Sequence, residues 1–101
     1  MTYGSVSGVK EILVLAVATF DTEIGDCLAS ADALVDSFLK HAGLAVPVVV
    51  PQNVADASDY FAAYLFRKRR DPEGAEAFWA EANRFLDAYV DAEASPYVGS
   101  A

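Results

Sequence analysis

The residue types that carry acid-base chemistry are few in this 101-residue chain, and their spacing is unfavourable. His41 is the only histidine, and the acids Asp32 and Asp36 are not three or four residues from it, the spacing that would place them beside it on a helix. None of the motifs CxxC, HExxH, GxGxxG, GxSxG or the P-loop occurs. We therefore expect His41 to be a surface or C-capping residue, and the chain to be neither an enzyme nor the carrier of a cofactor.

Aspartates recur at a spacing of one helical turn. The pairs are Asp32 with Asp36, Asp56 with Asp59, and Asp87 with Asp91. Each pair falls on one face of a predicted helix, and a solvated polar face explains this pattern better than a metal site. Cys27 has no second cysteine to pair with and lies on an apolar stripe, which favours a small buried residue. The sequence thus predicts no metal site and no internal disulfide.

Four of the seven basic residues are consecutive, and we call them the basic cluster: Arg67, Lys68, Arg69 and Arg70. One interpretation is a helix C-terminus that favours cations and covers apolar surface with their aliphatic stems. Another is a docking patch for acidic surfaces of a neighbour or of further copies. Nucleic-acid binding is the least favoured, because base-reading and interleaved aromatic residues are absent around the cluster.

Composition favours one small acidic domain. Hydrophobic residues make up 54% of the chain, and the formal net charge is −8, which argues against holding nucleic acid by neutralising phosphates. The apolar run at 12–18 is too short to span a bilayer and lacks signal-peptide features. We expect a soluble protein made in the cytoplasm, without a membrane partner.

Apolar residues at alternating three- and four-residue spacing predict a long helix from Asp21 to Ala42. Asp21 or Thr22 is the expected N-cap, and Gly43 is expected to end the helix in the left-handed conformation. Its length of about 33 Å requires partners along the whole stripe.

The flanking segments predict three further helices. Residues 8–15 favour a short helix capped by Ser5 or Ser7, although 12–17 also fit a buried strand. The prolines of 44–51, LAVPVVVP, predict an extended connector, and Pro51 suits the start of a helix that ends in the basic cluster. Asp71 and Pro72 then begin a last helix that runs to about residue 93.

The predicted fold is mainly α, a small bundle of three principal helices plus a short N-terminal helix and the Pro-bracketed connector. We expect a single domain over 1–101, with an ordered core at about 8–93, a flexible N-terminus at 1–7 and a flexible tail at 94–101. Phe61 and Phe66 fall on different faces of the third helix, and Tyr60 and Tyr64 add two more rings to it. One chain of this size is therefore expected to leave part of that helix for other subunits to cover.

Three stretches in this order resemble the head-tail connector (adaptor, or head-completion) proteins of tailed bacteriophages and their archaeal counterparts. They are FDTEIGDCLASADALVDSFLKHAGL, VPVVVPQNVADASDYFAAYLFRKRRDPE and AFWAEANRFLDAYV, within residues 9–90. The resemblance lies in an arrangement of helix types and not in a catalytic signature.

That resemblance implies a structural protein of the virion neck. Such proteins form a ring, expected here to be dodecameric, that binds the portal protein, prolongs the DNA channel and presents a platform to the next neck or tail-completion protein. DNA would pass through without sequence-specific binding, which the net charge of −8 suits. The candidate subunit and portal interface comprises Val48, Val49, Val50, Arg67, Lys68, Arg69, Arg70, Tyr97 and Val98.

Two other classes stay open. A small helical interaction module or regulator, such as an antitoxin-like dimer, would have a defined partner and no ring. A small enzyme would need a second cluster of polar residues, which the sequence does not contain.

Overall fold

The computed structural model describes residues 3–15, 19–45, 47 and 49–94, and every regular element within them is an α-helix. Their order is α1 (Val6–Leu13), α2 (Asp21–His41), α3 (Gln52–Lys68) and α4 (Pro72–Ala94). The mainly α bundle with three principal helices and a short first helix is confirmed. Ile12 and Leu13 belong to α1, so a strand is excluded for them.

Local capping signals mark three of the helix ends. Ser5 accepts a hydrogen bond from the Gly8 backbone N–H at 3.0 Å, and Asp71 accepts one from the Gly74 N–H at 3.2 Å. These two bonds confirm the predicted caps of α1 and α4. After α2, Gly43 has a φ of 80°, as expected for a residue that ends a helix in the left-handed region.

The start of α2 differs from the prediction. The capping residue is Phe20, which supplies no side-chain hydrogen bond, so the expected cap by Asp21 or Thr22 is wrong. Asp21 is instead the first helical residue and pairs with Lys10 of α1, with 3.0 Å between Nζ and Oδ1. This ion pair joins two helices, a role that local sequence does not reveal.

Helix α3 is the centre of the bundle, because it packs against α1, α2 and α4, whereas α2 and α4 touch each other little. Its buried side chains meet apolar residues from all three neighbours. Those neighbours include Val9 and Leu13 of α1, Ile24, Leu28, Val35 and Leu39 of α2, and Ala82 and Leu86 of α4. Burying a side chain such as Leu28 contributes about 2 kcal/mol.

The expectation that one chain is too small to bury the rings on different faces of α3 is wrong for Phe61 and Phe66. Phe61 and Phe66 are 2% and 4% exposed, and Tyr60 packs against the core from a half-buried position. The large apolar side chains that the described part of the chain leaves most exposed lie elsewhere, at Val14, Val49 and Trp79. A single copy therefore supplies most of its own core.

No helix in the described ranges is both long enough and apolar enough to span a bilayer.

The end of α1 is conformationally strained. Val14 has φ and ψ of 57° and 50°, the left-handed region, and its side chain is 88% exposed. For a β-branched L-residue this region costs on the order of 1 kcal/mol, and the exposed side chain offers little packing in return. Glycine adopts the same conformation without that steric cost.

We therefore expect Val14→Gly to raise the free energy of unfolding by about 1 kcal/mol. Chemical denaturation followed by circular dichroism measures the change. Gly43→Ala is the matched opposite, because a Cβ at φ 80° is strained even though nothing lies within 4 Å of it, and it should lose a similar amount. A Val14→Gly variant less stable than the parent would contradict the strain.

Candidate functional site

The basic cluster divides into two pairs with different surroundings. Arg69 and Arg70 reach Glu23 in the first turn of α2: Arg69 Nη1 donates to Oε2 at 3.0 Å. Arg70 donates to both carboxylate oxygens, at 3.1 and 2.9 Å. This bidentate geometry ties the end of α3 to the beginning of α2.

Arg70 also covers aromatic surface. Its guanidinium carbon lies 3.9 Å from the ring centroid of Phe66 and 5.2 Å from that of Phe20, and these rings contact each other edge to face. Its hydrogen bonds are the main reason that the pKa of the Glu23 carboxyl lies below its ordinary value. Arg69 and Arg70 thus stabilise the fold. This agrees with the first interpretation of the basic cluster, a helix C-terminus whose side chains cover apolar surface.

Arg67 and Lys68 have aromatic neighbours instead. The Arg67 guanidinium carbon lies 5.6 Å from the ring centroid of Phe78, and Lys68 Nζ lies 5.5 Å from that of Tyr64. Neither is within ion-pair distance of a carboxylate in the described part of the chain. Lys68 is exposed and Arg67 is half-buried, so this half of the cluster keeps its charge available to a partner.

The predicted interface residues do not form one patch. Val49 is 82% exposed in the connector, and Val50 packs partly against the core. Both precede α3, whereas the basic cluster lies at its other end, about 25 Å along the helix axis. Val48, Tyr97 and Val98 lie outside the described residues.

One aromatic residue of α4 lies at the surface. Trp79 is 40% exposed, with its ring centroid 5.2 Å from that of Phe61 and 5.0 Å from that of Tyr64. Phe78, Phe85 and Tyr89 do pack against the core. Trp79 therefore forms part of the accessible surface beside Lys68.

A pocket of about 360 Å³ opens where α1 and α4 meet the first half of α3, and we call it the acidic pocket. Its lining residues are Gly8, Glu11, Ile12, Asp56, Asp59, Tyr60 and Phe85. Three carboxylates thus meet two aromatic rings, which stack with centroids 5.7 Å apart. Such a lining suits a cationic side chain with an apolar stem.

Asp59 departs from the solvated polar face predicted for the aspartate pairs. Its side chain is only 9% exposed, and Gly8 packs so closely that a Cβ there would lie 2.3 Å from Asp59 Oδ2. Asp59 Oδ1 accepts a hydrogen bond from the Ser5 backbone N–H at 2.9 Å. Sequence reasoning missed this burial, because the glycines that pack on Asp59, Gly4 and Gly8, are far from it in the sequence.

The segment before α1 also forms hydrogen bonds with two aspartates of α2. The Tyr3 backbone N–H donates to Asp32 Oδ1 at 3.0 Å, and the Tyr3 hydroxyl donates to Asp36. The Ser58 hydroxyl donates to the same Asp32 oxygen at 3.0 Å. These contacts were not predicted, since the sequence favoured a flexible segment at 1–7.

The pKa of Asp59 is raised to about 6, mainly because the carboxyl is buried; the bond from Ser5 lowers the pKa, and the nearby charges of Asp56, Glu11 and Asp32 add to the rise. Because the folded pKa lies above that of the unfolded chain, ionisation of Asp59 opposes folding. The resulting loss of stability sets in as the pH rises from about 4 and is complete above about 6.

The other candidates for chemistry show structural contacts. His41 lies at the end of α2, where its Nδ1 is 3.0 Å from the Ser37 carbonyl oxygen, consistent with a donated C-terminal bond. Cys27 is buried, and burial raises the pKa of its thiol. Among the described residues no three His, Cys, Asp or Glu side chains come together as metal ligands.

We expect Asp59→Asn to gain stability over the parent as the pH rises from 4 to 6, by up to about 2 kcal/mol. The amide keeps an oxygen that can accept the Ser5 N–H and removes the buried charge. Urea unfolding at closely spaced pH values measures the difference. Asp87→Asn, an exposed site on α4, is the control, and equal pH profiles for Asp59→Asn and the parent would contradict a raised pKa.

We expect Arg70→Glu to lower the midpoint of thermal unfolding, because it places a second carboxylate beside Glu23 and uncovers Phe66. In protein dilute enough to be monomeric, Arg67→Glu should change that midpoint little, since no carboxylate of the described residues pairs with Arg67. Combining Glu23→Arg with Arg70→Glu should recover part of the loss. Equal effects of the two single reversals in differential scanning calorimetry would contradict the division of the cluster.

Comparison with known proteins gives one match. The family model described as "Bacteriophage Mu, Gp36" matches residues 7–100, nearly the whole chain. Searches of curated proteins and of solved structures found no significant match. The match reaches all four helices and does not by itself assign a position in the virion. With so much of its length matched, this chain belongs to the bacteriophage Mu Gp36 family.

Proposed function

We propose that this chain is a head-tail adaptor, a structural virion protein whose copies form a ring under the portal, extend the DNA channel and dock the next neck or tail protein. The observation that carries the proposal is the match to a bacteriophage protein family over residues 7–100. The resemblance to head-tail connectors in the order of helices and connector supports the finer assignment.

Surface charge supports a channel role. The exposed side of α4 carries four acids, Glu73, Glu76, Asp87 and Asp91, and one base, Arg84, which pairs with Glu81. A wall of this charge neutralises no phosphates and releases no counterions, so it does not hold the DNA that passes it. We assign this side of α4 to the lumen of the ring.

The connector supports docking. Val49 is exposed beyond the packed helices, next to two prolines that keep the backbone out of a helix. An extended apolar segment of this kind suits pairing with a strand or groove of the portal protein. Lys68 and Arg67 lie far from it on the same molecule and are free to contact a different neighbour.

The test is co-expression with the portal protein encoded by the same phage genome, followed by negative-stain imaging and mass measurement. We expect a ring of this chain on the portal, and a label on the chain should mark the neck of purified particles. Val49→Asp should abolish the ring while circular dichroism stays unchanged, because the side chain is exposed. Ser30→Asp, on an exposed position of α2, is the charge-matched control.

A chain that does not bind the portal protein and is absent from purified particles would contradict the proposal.

A further inference from the structure

One side of the α3–α4 layer carries opposite charges at its two ends. On α3, Asp56, Tyr60 and Arg67 are spaced by four and seven residues, which places them on one stripe of the helix. Two rings of α4 lie along this stripe: Phe85 stacks on Tyr60, and Phe78 lies 6.2 Å from Tyr60, centroid to centroid. The acidic pocket and Arg67 are therefore on the same face.

The carboxylates of the acidic pocket have no basic side chain beside them in the lining. Asp59 is nine-tenths buried, and the hydrogen bond that it accepts from the Ser5 backbone N–H goes to Oδ1. Glu11 and Asp56 add two more carboxylates to the lining. A guanidinium would find hydrogen-bond acceptors at the wall and the faces of Tyr60 and Phe85 beside them.

Arg67 is the cation of this face. Its guanidinium rests on Phe78 and has no carboxylate partner within the described ranges. The other arginines are occupied, since Arg69 and Arg70 bind Glu23, and Arg84 binds Glu81. Arg67 lies about 16 Å along α3 from Asp56.

We propose that Arg67 of one copy enters the acidic pocket of a second copy, and that the second copy's arginine does the same in return. A half-turn about an axis midway along the stripe superposes the arginine of each copy on the pocket of the other, because both features share one face. The two α3 helices then run antiparallel, with the rings of Tyr60 and Phe78 from both copies between them. The chemistry of the occupant is thus that of an arginine side chain supplied by the same protein.

This pair belongs to the free protein. Copies related by a two-fold axis face opposite directions, so the pair cannot be part of a ring in which every copy faces the portal. The inference does not rest on the adaptor proposal, and the pair would have to separate before such a ring forms.

A charge-swap experiment tests the pair. In size-exclusion chromatography with light scattering, near 100 μM protein and low salt, we expect the parent to be a dimer. Arg67→Glu and Asp56→Arg should each weaken pairing at least about tenfold, because like charges then meet at both contacts. A 1:1 mixture of the two variants should restore a dimer, since both contacts again join opposite charges.

Restoration by mixing also shows that both variants are folded. Lys68→Glu is the matched control, because it reverses a neighbouring charge on the Tyr64 side of α3 and should leave the dimer intact. A monomeric parent, a mixture that stays monomeric, or a Lys68→Glu variant as weak as Arg67→Glu would overturn the proposal. A mixture that forms larger assemblies would overturn it too, because these indicate head-to-tail contacts in place of a two-fold pair.

Discussion

Helix α3 packs on three sides, against α1, α2 and α4, and the rest of the structure depends on that coverage. Small residues at Ala57, Ala62 and Ala63 let the neighbouring helices approach, while Phe61 and Phe66 fill the space between them. Because α2 and α4 barely touch, each is held in place mainly by its contact with α3. Loss of packing on α3 would therefore loosen all three neighbours together.

The coverage of α3 also decides which polar groups remain available. Arg69 and Arg70 form ion pairs with Glu23 where α3 meets α2. Asp59 is buried where the residues before α1 cross α3. Along the remaining stripe, charge is left unpaired at the acidic pocket and at Arg67. The polar surface that stays accessible is thus what the helices leave open after the core is formed.

Local signals in the sequence predicted most of the helices. Asp71 before Pro72, Gly43 after α2 and Pro51 before α3 mark ends that depend only on adjacent residues. The features that were missed depend on residues far apart in sequence. Glu23 and Arg70 are distant in the chain, so their bond gives no periodic signal, and the burial of Asp59 requires the backbone of Ser5 to cross α3. For this reason two predictions failed: that Asp59 lies on a solvated face, and that Phe61 and Phe66 of α3 are more than one chain can bury.

Native-state hydrogen exchange, measured on protein dilute enough to be monomeric, tests most directly whether one chain covers α3 by itself. The account predicts that the amides of α3 from Ala57 to Phe66 are the most slowly exchanging in the molecule and exchange only through global unfolding. Amides of α3 that exchange rapidly in the monomer and become protected only at high concentration would show that further copies complete the core, and would contradict the account.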